Sequence, residues 1–266
     1  MSALTEEIEL YRDKMWRRDE TLRLETVAEA ERFIEDVGFC AAMTDARKEL
    51  PSIYIAVCGR REVRTPKNVQ KDVECSAAWV LKDEVFNRGR VYYGKITKSQ
   101  SIFVAPRLIS AFNALFGVQK TLEKESLSAN ALKILTALRK EWESASGDLR
   151  KESGVADRKE FNKAMDELQH KLKVVPSECL YEPTFTYVWT LAEARFPEQL
   201  KEKPSRETAL TEIARAFLQG AGQSSSKELA KIIGVTPLEI NLGFLNLVEE
   251  KFAVAIENGC FRLAII

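Results

Sequence analysis

Apolar positions along the chain fall mostly at helical spacing. Leu4, Ile8, Tyr11 and Met15 recur at i, i+4, i+7 and i+11, which predicts an amphipathic helix from Leu4 to Trp16. Thr26 and Glu29 predict a capping box, with Val27, Ala30, Phe33 and Ile34 as the buried stripe and Gly38 as the stop. Glu49-Leu50-Pro51-Ser52 breaks the pattern, and Ser52 is placed to cap a short segment through Val57. Val91 to Ile96 and Ser101 to Val104, joined by a polar turn at Thr97 to Gln100, read as a β-hairpin. Pro106 to Leu115 returns to helical spacing.

From Ser128 onward the pattern becomes a unit. Leu132, Leu135 and Leu138 mark a helix capped by Ser128, and Ser146-Gly147-Asp148 supply the break and cap of a second. A third runs from about Asp157 to Lys171, with Phe161, Met165 and Leu168 facing inward and Arg158, Lys159, Asn162, Lys163 and Asp166 outward. Val174-Val175 and the stretch Tyr181 to Leu191 read as strand. Sliding the chain by 80 residues places Leu149 on Leu229, Gly154-Val155 on Gly234-Val235 and Val174 on Val254. Helix, tight turn, helix and strand therefore occur twice, the pattern of tandem winged helix-turn-helix modules. In the second copy Ser205 caps a helix with the stripe Leu210, Ile213 and Phe217. Ser225 caps a short helix ending at Gly234, Thr236-Pro237 opens the next, and Asn258-Gly259 predicts a hairpin turn.

The expected fold class is mainly α with small β wings (α+β), tandem winged helix-turn-helix modules plus a β-hairpin-rich insertion. The expected divisions are 1–57, an N-terminal helical and possible winged-helix module; 58–127, a basic loop and β-hairpin insertion with a helix; 128–195, a middle winged helix; and 204–266, a C-terminal winged helix. The stretch from Phe196-Pro197 to Lys203-Pro204 reads as the linker.

Composition adds exclusions. The chain of 266 residues is 45% hydrophobic and 30% charged, with zero formal net charge, as expected of globular domains. Its five cysteines lack any C-x-x-C spacing and are expected reduced and mostly buried, and His170 is the single histidine, read as a helix-surface residue. Neither a metal site nor a cofactor is expected, and phosphate-binding glycine motifs are absent. The start MSALTEEIELYRDK has no apolar leader core, and no apolar run approaches the roughly 18 residues of a spanning helix, so a cytoplasmic, unanchored protein is expected.

Charge is unevenly placed. Residues 1–57 carry eight Lys/Arg against thirteen Asp/Glu, whereas 58–109 carry eleven against five. Such a positive block suits an anionic partner. Its candidate phosphate contacts are Arg60, Arg61, Arg64 and Lys67 in a loop, and Arg88, Arg90, Lys95 and Lys98 around the hairpin; a solvated charged surface is the competing account. Arg158, Lys159, Asn162 and Lys163 have the chemistry of a groove-reading helix. The matching helix downstream shows Glu239, Asn241, Asn246, Glu249 and Glu250, a surface better suited to structure or to a protein partner. Oligomeric state leaves no mark in this pattern.

Val37-Gly38-Phe39-Cys40, Glu49-Leu50-Pro51-Ser52, Trp79 with Lys82-Asp83-Glu84, Tyr92-Tyr93-Gly94-Lys95 and the downstream modules together resemble the bacterial AlkZ-related family. Its relatives are tandem winged-helix DNA glycosylases that unhook interstrand crosslinks. The resemblance spans roughly residues 20–266 and implies three winged helices, a β-rich insertion and duplex DNA held in a concave basic channel. It also implies a Gln-x-Gln or Gln-x-Asp motif after Gly38-Phe39, where this chain instead has Cys40-Ala41-Ala42-Met43-Thr44-Asp45. Asp45 and Asp83 are the carboxylates left as catalytic candidates for orienting water. Trp79, Lys82, Tyr92 and Tyr93 are pocket candidates for a sugar-phosphate or a flipped base. Three functions are consistent with this pattern: a duplex DNA-binding protein of DNA repair; an active glycosylase on alkylated purines; and a protein-interaction scaffold or transcriptional regulator.

Overall fold

The computed structural model describes residues 5–97 and 100–266, and the backbone but not the side chain of Asn258. The expectations for Leu4 and Lys98 lie outside the described residues. Three units share one chain order: helix, short strand, two helices, hairpin. The first comprises α2 (Val27–Val37), β1 (Phe39–Ala41), α3 (Ile53–Cys58), α4 (Val73–Asn87), β2 (Tyr92–Thr97) and β3 (Gln100–Val104). Ahead of it lies α1 (Glu6–Met15); after it come α5 (Pro106–Phe116) and α6 (Glu123–Ser126). The second comprises α7 (Ala129–Glu141), β4 (Glu143–Ala145), α8 (Ser146–Glu152), α9 (Arg158–His170), β5 (Val174–Leu180) and β6 (Thr186–Leu191). Two short helices, α10 (Ala192–Arg195) and α11 (Pro197–Lys201), connect it to the third. That unit comprises α12 (Arg206–Ala221), β7 (Gln223–Ser225), α13 (Ser226–Ile233), α14 (Pro237–Glu249), β8 (Ala253–Ile256) and β9 (Cys260–Leu263). The three antiparallel sheets have the orders β1-β3-β2, β4-β6-β5 and β7-β9-β8, so the short strand always pairs with the second strand of its hairpin.

The sequence repeat covered the second and third of these units. The first escaped it because two charges, Lys82 and Asp83, lie on the buried face of α4 and blur its apolar stripe. Residue 57, an expected division, lies within α3, while β1 pairs with β3 through Phe39–Val104, Cys40–Phe103 and Ala41–Ile102.

Many local signals act as expected. Thr26 and Glu29 form the capping box of α2, Ser52 accepts the Tyr54 N–H at the start of α3, and Ser128, Ser205, Ser225 and Thr236 cap their helices. Others are corrected. Ser146 lies inside α8, which begins after Ala145, and its hydroxyl serves the hairpin, donating to the Tyr187 carbonyl and accepting from Trp189 Nε1. Tyr181 to Leu191 is not one strand, because residues 181–185 form the turn between β5 and β6. The segment 196–204 is partly helical and packed: Phe196 is buried against Tyr92, and the Leu200 carbonyl accepts from Asn113. The last hairpin turns through a 3-10 segment, Glu257–Gly259, not a two-residue loop. His170 is half-buried, its Nδ1 hydrogen-bonded to the Ile96 carbonyl and its ring 5.1 Å from that of Phe116.

Two principal cores result. One belongs to the second unit alone, built from Leu135, Leu138, Phe161, Met165 and Leu168 among others. The larger core runs through the first and third units, with α12 packed on both α5 and α14. The ring of Phe39 stacks on Phe217 of α12 at 5.8 Å and meets Phe112 of α5 edge-on at 5.6 Å. Gly38, with φ +78°, lets the chain come this close, since a Cβ there would lie 2.7 Å from Ala216 Cβ and 2.9 Å from Leu108 Cδ1. The α1 helix closes the far side. Arg12 is buried and donates to the carbonyls of Ala221 and Gln223, each at 2.9 Å.

Gly38→Ala is expected to destabilise the protein by about 2–4 kcal/mol, combining a left-handed backbone penalty with overpacking against α12; urea denaturation measures it. A second expectation concerns Glu228, whose carboxyl beside Arg12 is pushed up to about 7 by burial and by Glu49. Between the ordinary glutamate value of 4.5 and that folded value the native state keeps a proton that the unfolded chain has already released. Its contribution is full below about 4.5 and is lost as pH rises toward 7. Glu228→Gln is expected to flatten the fall of melting temperature across that window.

Candidate nucleic-acid interface

Helix α9 presents the clearest cationic face. Asp157 caps it by accepting the Glu160 N–H at 2.8 Å, and Phe161, Ala164, Met165 and Leu168 turn toward α7 and the hairpin. Helical periodicity then leaves Arg158, Lys159, Asn162 and Lys163 exposed together, with no ion pair among the described residues. Farther along the helix Asp166 holds Lys95 of β2 at 2.7 Å, and Gln169 accepts the Lys95 backbone N–H. The first hairpin and α9 are thus side by side.

Most of the other predicted cations are neutralised. Arg60 pairs with Glu74 of α4 at 2.5 Å. Arg61 bridges Asp13 and Glu6 of α1 at 2.5 and 2.9 Å, and Arg64 reaches Glu62 at 3.4 Å. Arg88 and Arg90 share Glu31 of α2 at 3.3 and 3.4 Å. Lys67 is exposed and has no ion pair among the described residues. The loop at 60–67 is therefore drawn to α1 and α4, whereas Lys95 is drawn to α9.

Asp45 is buried in the loop after β1. Arg47 reaches both its oxygens, and Thr65 donates both its N–H and its hydroxyl to Oδ2 at 3.0 Å. The Arg47 guanidinium and these donors hold the carboxyl well below the usual carboxylate range. Such an ionised, saturated group clamps the loop. Cys40, Ala41 and Ala42 are buried with the strand, so nothing at these positions reaches solvent to bind a substrate.

Lys82 and Asp83 are both buried, with Nζ 2.5 Å from Oδ1. Around Nζ stand the rings of Trp79 at 4.4 Å, Phe86 at 5.6 Å, and Tyr93 and Tyr187 at 5.7 Å, which supply cation–π contact in place of water. Nζ also donates to the Tyr187 hydroxyl at 3.3 Å, and the Tyr181 hydroxyl donates to Asp83 Oδ2. Burial and the Asp83 carboxylate push the Tyr181 phenol up, which keeps it a donor, and the same two causes raise the neighbouring Cys179 thiol. This cluster joins α4 of the first unit to the hairpin of the second. Outside it Trp79, Tyr181 and Phe185 are exposed aromatics in contact with one another, Phe185 lying 6.4 Å from Trp79 and 5.6 Å from Tyr181.

Tyr92 and Tyr93 are both core residues. Alternation predicts that at least one side chain faces inward, but both faces of the first sheet are covered, with Tyr92 against Phe196 and Tyr93 stacked on Phe86. Tyr181, Phe185 and Tyr187 were not among the predicted site residues, because their partner Lys82 lies about a hundred positions earlier. The run of aromatics at 181, 185, 187 and 189 was the available signal. On α14 Leu238, Leu242 and Leu245 are exposed together with Pro237 and Glu249, while Glu239 pairs with Arg206, Asn241 with Ser226, and Asn246 with Glu207 and Thr211.

Replacing Lys82 alone by Met is expected to cost about 3–5 kcal/mol, because Asp83 would be left buried without its cation. Lys82→Met with Asp83→Leu is expected to recover most of that stability in urea denaturation.

The AlkZ-related family matches residues 24–234. No curated protein matches the sequence. Among solved structures, the chain is similar to the Streptomyces sahachiroi DNA glycosylase AlkZ, with a TM-score of 0.61 and 12% identity over 100% of this chain and 71% of that one. No helix among the described residues is long and apolar enough to cross a membrane.

Proposed function

This chain belongs to the AlkZ-related family, and from that premise we propose that it is a duplex DNA-binding protein of tandem winged helices acting in DNA repair. The observation carrying this reading is the α9 face, where Arg158, Lys159, Asn162 and Lys163 are exposed and have no ion pair among the described residues. Arg, Lys and Asn are the side chains that reach phosphates and base edges from a helix in the major groove. The corresponding helix of the third unit, α14, exposes three leucines and no Lys or Arg, a surface poorly suited to phosphate.

Hydrolysis is not part of the proposal. Cleaving a glycosidic bond demands an oriented water and stabilisation of a developing positive charge. Asp45 is saturated by Arg47 and Thr65, and both Asp83 oxygens face partners, Lys82 and Tyr181. The exposed aromatics Trp79, Tyr181 and Phe185 are instead suited to stacking on unpaired bases.

A fluorescently labelled duplex is expected to bind with strong salt dependence. Lys159→Glu with Lys163→Glu should weaken it at least tenfold and reduce the log–log salt slope by about 0.9 for each phosphate no longer neutralised. Unchanged affinity would reject the assignment. In the same titrations, duplex bearing N7-alkylguanine is expected to be bound without forming abasic sites; release of the base would reassign the chain as a glycosylase.

A further inference from the structure

A cleft of about 700 Å³ opens beside the second unit, between the end of α5, helix α7, the residues after α9 and the connector holding α10 and α11. Six cations line it, Lys120, Arg139, Lys171, Lys173, Lys201 and Lys203, against the single carboxylate of Glu193. Behind them Glu123 holds Arg139 at 2.8 Å and Lys173 at 2.7 Å, fixing two positive heads in the wall. Lys120, Lys171, Lys201 and Lys203 have no ion pair among the described residues. That contrasts with the arginines at 60, 61, 64, 88 and 90, each of which has a carboxylate within 3.4 Å. Unscreened cations gathered in a concavity repel one another, and a multiply charged anion removes that cost.

The remaining wall is mixed, with Asn113 and Gln119 beside Leu135, Leu172, Leu191 and Leu200. The volume falls within the range of small-ligand pockets. We propose that this cleft binds a phosphate ester carrying two or more negative charges and an organic part of nucleoside size, the lysines holding phosphate and the leucines the organic part. A free nucleoside di- or triphosphate and two adjacent nucleotide units of a nucleic acid both have this chemistry. The cleft lies beyond the C-terminal end of α9, ~20 Å along that helix from Arg158. Its occupation does not rest on the DNA reading of the α9 face.

The test uses the full chain in metal-free, low-salt buffer. Calorimetric titration with ATP is expected to give saturable one-to-one binding, with inorganic tripolyphosphate binding more weakly because it leaves the leucines uncovered. Lys171→Glu with Lys201→Glu should weaken ATP at least tenfold, while the charge-matched Lys231→Glu with Lys251→Glu, outside the cleft, changes it less than twofold. Lys171→Met with Lys201→Met, expected to weaken ATP three- to fivefold, carries the comparison if the glutamate pair does not fold. Lys159→Glu with Lys163→Glu should leave ATP binding unchanged, which separates this site from the α9 face. If ATP is silent but labelled duplex weakens tenfold in the cleft variant and not in its control, the phosphate ester comes from nucleic acid. The proposal is overturned if neither ATP nor duplex responds to the cleft variant, or if ATP binding falls equally in the variant and its control.

Discussion

The contact of Phe39 with Phe112 and Phe217 is the constraint from which much of the architecture follows. It draws the first strand of the first unit onto α12 of the third, so two units distant in sequence share one core while the second keeps its own. The close approach requires Gly38, whose positive φ ends α2 and removes the side chain that would strike Ala216. Cys40, Ala41 and Ala42 are carried inward by the same packing. Small apolar residues suit that interior, whereas a glutamine would have to find buried partners there.

The second unit joins the larger core through Val175 and Cys179 of β5, and is held there by a buried Lys–Asp pair wrapped in aromatic rings. Lys82 and Asp83 come from α4, and Tyr181 and Tyr187 from the hairpin of the second unit, so the pair is complete only when the two units are docked. Burying two charges is costly, and here the cost is offset by direct pairing, two phenol contacts and four ring faces. This docking also sets Lys95 against Asp166 and so fixes α9 beside the first hairpin. The outward cationic face of α9 therefore stands on a rigid support.

Counting cations misleads where carboxylates are equally abundant. Eleven Lys/Arg against five Asp/Glu between residues 58 and 109 suggested an anion-binding loop and hairpin. Folding supplies the missing carboxylates from outside that interval, Asp13 and Glu6 from α1, Glu31 from α2 and Asp166 from α9. Among the cations left without such partners are those on α9 and in the cleft beside the second unit. Electrostatic character at those two places comes from which side chains are not paired, a property of the assembled chain.

Signals that act over a few residues were legible directly. Capping residues at Thr26, Ser52, Ser128, Ser205, Ser225 and Thr236 set helix starts because a side-chain oxygen meets a backbone N–H two or three positions on. The inward and outward faces of α9 followed from a period of 3.6 residues. Two of the three units were readable as a repeat for the same reason, and the cluster of short motifs from Val37 to Lys95 pointed to the family. The burial of Tyr92 together with Tyr93, the locking of Asp45, the joining of Lys82–Asp83 to Tyr181 and Tyr187, and the cleft were decided only in three dimensions. Each depends on residues brought together from distant parts of the chain, and periodicity is silent about which surface another element will cover.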